Sequence, residues 1–254
     1  MRFRTSSIQL TPSNNHLVLR RLMRKECKYI YRQKGAVTHA KRMILRKPRC
    51  HTFYLFEIPE KRRLHMISKI HSLGGMVVNS IRFATRILFI PSGHNLPEKS
   101  LFKLLTAAIG GRAILPASYI LDSCDEKTFL DVDNYCHCEN FVTKFDIPDS
   151  TLAAIKISVY YRSLYAKMQK PAFHLQNVLF AVTEGQHEDV KLLLEISGAS
   201  VQPCYHNNMF FNNQLFTLCV TDGTIKLHDF VETIPQVTPD TIRNILWRTF
   251  RKFL

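Results

Sequence analysis

One stretch constrains this chain more than any other: residues 97–135, PEKSLFKLLTAAIGGRAILPASYILDSCDEKTFLDVDNY. Leu101, Leu104, Leu105, Ala108 and Ile109 recur at i, i+3, i+4, i+7 and i+8, the spacing of an apolar helical face. Pro97 suits the start of that helix and Gly110-Gly111 its end. Ala113-Ile114-Leu115 is too short for a helix and suits a buried strand. Pro116-Ala117-Ser118 then opens a second helix, which carries Tyr119 and Ile120 inward and stops near Asp125. Lys103 lies off the apolar stripe, so it is expected to point into solvent or toward a ligand.

The flanking segments follow a similar order. Residues 53–58, FYLFEI, read as a buried strand ended by Pro59, and Leu64, Ile67 and Ile70 mark a helix that stops at Gly74-Gly75. Residues 76–78 and 86–90 read as two further short strands. Residues 139–175 form a connector, extended at 145–148, with Asp149-Ser150 capping a helix through Leu152, Ile155 and Val159 that Pro171 ends. A looser copy follows: a strand at 178–182, a helix carrying Val190, Leu193 and Leu194, then Gly198 and a strand at 215–220. It closes with residues 234–237, Thr238-Pro239 and a last helix through Ile242, Ile245, Leu246 and Trp247.

Strand, helix ending in Gly-Gly, two strands, helix, strand, helix resembles a BRCT domain, the interaction module of DNA-damage-response proteins. The matching residues are Gly111 before a basic position, then ILPASYILDS, with FLDVDNY closing the repeat. Tyr119 stands where the family usually has Trp, and in the second copy Thr241 stands there. The resemblance implies an α/β fold of two tandem BRCT-like repeats, each a small parallel sheet flanked by helices, at 51–138 and 176–254. The linker 139–175 joins them, as in the C-terminal pair of checkpoint mediators. The helix at 99–109 is expected to pack against helices of the second repeat.

Charge marks one more boundary. Residues 1–50 hold 14 of the 35 Lys/Arg and one of the 20 acids, Glu26, a net of +13 out of +15; the other 204 residues are almost neutral. Three readings of this basic arm stand: a solvated, disordered arm, a nuclear-import or nucleic-acid patch, and a mitochondrial presequence. Its densest cluster is Lys41, Arg42, Arg46, Lys47 and Arg49. Seven cysteines without regular spacing point to a reduced, intracellular protein, and no apolar run is long enough to span a membrane. The resemblance places the chain in the nucleus.

The resemblance also assigns a candidate phosphate site. In mediator-type pairs the first repeat holds phosphoserine through a Ser/Thr hydroxyl and a Gly N–H after the first strand, and through a Lys on the second helix. Lys103 falls on that lysine, and an ammonium suits a dianionic phosphate. Ser100, three residues earlier, stands where phosphopeptide binders often carry Arg. Phe56 replaces the hydroxyl residue and Glu57 the glycine, so the pocket is degenerate and a carboxylate enters it. Weak or absent phosphate selectivity is expected.

Other constellations carry less. Cys136-His137-Cys138, with Cys124, lacks a second pair of ligands for zinc and reads as structural cysteines; no metal and no cofactor is expected. Asp131 and Asp133 read as a turn and cap, and His206, Asn207, Asn208, Asn212 and Asn213 as a polar loop. No G-x-G-x-x-G after a strand, Walker A loop, G-x-S-x-G or H-E-x-x-H occurs. The expected function is a non-enzymatic interaction scaffold of the nuclear DNA-damage response. Its partner would be a protein or phosphoprotein, a phosphorylated chromatin protein among the candidates. The alternative is a nucleic-acid-binding protein driven by the basic arm, which would contact DNA. No membrane partner is expected.

Overall fold

The computed structural model describes residues 51–136, 147–171, 173–174, 176–204, 216–227 and 234–254. All belong to one compact unit, Pro48–Leu254. The basic cluster Lys41 to Arg49, His137, Cys138, the extended reading at 145–146 and the polar segment 206–213 lie outside the described residues.

The described residues form two separate four-stranded sheets, each wholly parallel. The first contains β1 (Thr52–Leu55), β2 (Met76–Val77), β3 (Arg86–Phe89) and β4 (Ala113–Pro116), in the order β2-β1-β3-β4. Between them run α1 (Glu60–Ser72) and α2 (Glu98–Ile109), followed by α3 (Ser118–Asp125) and the short α4 (Asp133–Cys136). Helix α5 (Asp149–Met168) leads to the second sheet. That sheet holds β5 (Asn177–Ala181), β6 (Ser200–Cys204), β7 (Leu218–Thr221) and β8 (Gln236–Val237), in the order β6-β5-β7-β8. Helix α6 (Glu188–Ile196) joins β5 to β6, and α7 (Pro239–Arg251) follows β8. The described body is thus two α/β repeats in tandem, each a parallel four-stranded sheet flanked by helices. Among the described residues no helix separates β7 from β8, where the first repeat carries α2.

Helix α2 is the axis of the assembly. One core combines its Leu101, Leu104, Leu105 and Ala108 with Ile87 and Ile114 of the first sheet, Ile155 of α5, and Phe180, Val190, Leu194 and Phe250 of the second repeat. A helix with sheet on one side and helices on the other is buried all round. Phe102, Thr106 and Ala107 are therefore buried as well, where the sequence predicts a single stripe. The opposite face of the first sheet packs Phe53, Leu55, Leu88 and Leu115 against Met66 and Ile70 of α1 and Tyr119 and Ile120 of α3. Tyr119 is fully buried and its hydroxyl donates to the Leu130 carbonyl at 2.9 Å.

Several elements differ from the sequence reading. The first strand ends at Leu55 rather than 58, because Glu57 adopts φ 49° and turns the chain off the sheet, while Phe56 and Ile58 stay buried. Leu64 points outward, 70% exposed. It sits two residues, about 200° of helical rotation, before the buried Met66, and α1 offers the sheet only a narrow stripe. Ser150 caps nothing; Pro148 is the α5 N-cap, and the Ser150 hydroxyl reaches the Asn95 side chain at 3.2 Å. The α5 chain ends at Met168 with Gln169 in the left-handed region, before Pro171 is reached. Strand β6, which contains Pro203, has no counterpart in the reading. It is an edge strand, where a missing N–H is tolerated. In α7, Thr241 lends its backbone N–H to the Thr238 N-cap hydroxyl at 3.2 Å.

Candidate partner-binding site

The residues singled out for phosphate gather where β1 leaves the sheet beside α2. The turn at Glu57 lifts its exposed carboxylate off the strand end, and the Ser100 hydroxyl in the first turn of α2 donates to it. One turn further along α2, the half-buried Lys103 lies along Tyr54: its Nζ donates to the Tyr54 hydroxyl and sits 4.6 Å from the ring centroid. An ammonium over a tyrosine ring is a favourable cation–π arrangement. Lys103 therefore does not stand free in solvent. Phe56 is buried, 3% exposed, so its ring forms a floor and offers no donor.

A cavity of about 360 Å³ opens beside Glu57. Phe56, Phe89, Ile90 and Leu96 make it apolar, and Glu57 and Arg62 bring opposite charges to it. Ser100 and Lys103 do not line it. Neither Glu57 nor Arg62 makes an ion pair among the described residues. Two of these residues escaped the sequence reading entirely, because no local pattern marks Arg62 or Leu96 as neighbours of Glu57. Tyr54 enters the sequence reading only as part of the first strand, although strand alternation puts it on the face of Phe56, toward α2.

The equivalent end of the second repeat is closed by its own charges. Arg243 donates to both carboxylate oxygens of Asp189, at 2.8 and 2.7 Å, to Asp240 at 2.7 Å, and contacts His187 Nδ1 at 3.0 Å. Burial alone would raise the Asp189 pKa, yet the Arg243 hydrogen bonds and charge outweigh it and hold the carboxyl below its ordinary value. This network ties α6 to α7 and occupies four of the five Arg243 donors.

The other candidate groups are structural in their contacts. The Asp131 side chain accepts from the Asp133 N–H at 3.0 Å, and Asp133 pairs with Arg162 at 2.8 Å. Cys136 is buried, with Arg162 Nη1 donating to its sulfur at 3.1 Å. Arg86 is sandwiched among Phe53, Tyr119 and Phe129, 5.4–5.7 Å from their ring centroids, and burial lowers its pKa.

No family model and no curated protein matches this sequence. Similar solved structures include the BRCT5-BRCT6 domains of S. pombe Brc1, 13% identical with a TM-score of 0.34 over 62% of this chain and 68% of that one. The complex of Rtt107p with a phosphorylated histone is 10% identical, with a TM-score of 0.39, over 87% of this chain and 92% of the other. The FHA-BRCT1-BRCT2 domains of S. pombe Nbs1 are 13% identical, with a TM-score of 0.32, over 80% and 61%.

Proposed function

We propose that this chain is a protein-interaction scaffold of the nuclear DNA-damage response, which binds a partner protein through the first of its two BRCT-like repeats without requiring phosphate. The observation that carries the reading is the Glu57 carboxylate: it takes the Ser100 hydroxyl at the place where the resemblance expects a bound phosphate. A phosphate arriving there would meet a like charge within a few ångströms, and a lysine already engaged by Tyr54. It would also lack the hydroxyl donor that Phe56 replaces. One lost hydrogen bond to a charged group costs about 1.5–3 kcal/mol, one to two powers of ten in affinity. The positive charge concentrated in residues 1–50 favours a second reading, nucleic-acid contact through that segment.

Titration of the isotope-labelled full chain with O-phosphoserine, followed by NMR, tests the first reading. Up to millimolar concentration the amides of Ser100 and Lys103 should not shift. Glu57→Gly should create a measurable site, and Lys103→Met in that background should remove it. Saturable, phosphate-dependent shifts in the unmodified chain would overturn the reading.

A further inference from the structure

The cavity beside Glu57 lies where a parallel sheet is expected to bind. In the order β2-β1-β3-β4, the chain leaves β1 for one side of the sheet, while β3 and β4 lie on the other. Helices α1 and α2, which follow β1 and β3, cover opposite faces. Connections that leave neighbouring strands in opposite directions open a crevice outside the strands' carboxyl ends, and ligands of open α/β sheets bind at such switch points. Phe56 and Glu57 follow β1, Phe89 ends β3 and Ile90 follows it, so the cavity is that crevice.

Its chemistry selects the occupant. A volume of about 360 Å³ is at the low end for ligand pockets, room for a side chain or two. Phe56 and Phe89 are 3% and 5% exposed and give an apolar floor, as Ile90 and Leu96 give walls. At the rim stand one carboxylate and one guanidinium, both exposed and neither neutralised among the described residues. The Ser100 hydroxyl uses one lone pair of Glu57, which leaves acceptor capacity for an ammonium.

We propose that this cavity receives a bulky apolar side chain of a partner peptide, flanked by a basic residue that faces Glu57 and an acidic residue that faces Arg62. The proposal rests on the interaction reading above and gives the partner a chemistry. Phosphate has no part in it; the carboxylate that repels phosphate becomes the group that selects the partner.

The probe is the capped tripeptide lysyl-leucyl-glutamate, titrated by NMR into the labelled full chain. Its controls are lysyl-alanyl-glutamate and glutaminyl-leucyl-glutamine. The leucyl probe should shift Phe89, Ile90 and Leu96, and the alanyl control should bind at least about tenfold more weakly. Glu57→Gln should weaken the charged leucyl probe several-fold while leaving the uncharged control unchanged. Equal binding of leucyl and alanyl probes, or no shift at Phe89, Ile90 and Leu96 at millimolar concentrations, overturns the proposal. Shifts centred on Phe102 and Trp247 instead would overturn the cavity and leave the interaction reading standing. Failure of that reading shows separately, as phosphate-dependent shifts at Ser100 and Lys103.

Discussion

Single side chains in this protein titrate according to what surrounds them. Burial pushes the Cys219 thiol up to about 12, with neighbouring Cys204 adding to the effect. Burial likewise pushes Cys136 up to about 11, against the pull of the Arg162 charge. An unfolded thiol ionises near pH 8.5–9. Above that pH the unfolded chain sheds protons that the folded chain keeps, so stability falls as pH rises toward the folded values. We expect the denaturant midpoint to decline from about pH 9 upward under reducing conditions, each such thiol steepening the fall by at most about 1.4 kcal/mol per pH unit. Cys219→Ala should lower stability at pH 7 through the cavity it leaves, yet make the alkaline decline shallower. A decline of unchanged slope in the variant would refute this assignment.

At the scale of elements, the Gly-Gly pair after α2 illustrates how one local signal hides two causes. Gly111 has φ 69°, which a glycine adopts without strain. Gly110 has an ordinary φ of −68°, and its reason is space: a Cβ there would stand 1.9 Å from the Ile196 side chain at the end of α6. The two helices of different repeats touch at this point. Gly110→Ala should therefore cost about 1–3 kcal/mol by overpacking, measured as a lower urea midpoint at unchanged slope. Ile196→Ala should recover part of the loss, and a fully additive double variant would show that the helices do not meet there.

The molecule's two sheets share one apolar core through α2, α5, α6 and α7. Phe102 and Trp247 bring the repeats together with ring centroids 6.1 Å apart. The ion pair that also joins them, Arg82 with Glu195, has an Arg side chain 42% exposed and contributes less than about 1 kcal/mol. A core common to both repeats makes their folding interdependent. Calorimetry should show the body melting in a single transition whose calorimetric and van't Hoff enthalpies agree. Two resolved transitions would show that each repeat is stable alone.

Most of the element order was legible from residues alone because its causes are local. The 3.6-residue spacing of Leu101, Leu104, Leu105 and Ala108, the glycine pairs and the strand-length apolar runs each act within a dozen residues. Charge likewise separates residues 1–50 from the rest without reference to structure. Strand β6 was not legible: Pro203 argues against a strand unless its place at the sheet edge is known. The site was legible only as four separate residues. Ser100 meets Glu57 across 43 residues and Lys103 meets Tyr54 across 49. The cavity exists because β1 and β3, distant in sequence, end side by side. Contacts of that range leave no periodic mark in a single sequence, so what the carboxylate touches, and the pocket beside it, were decided by the tertiary fold.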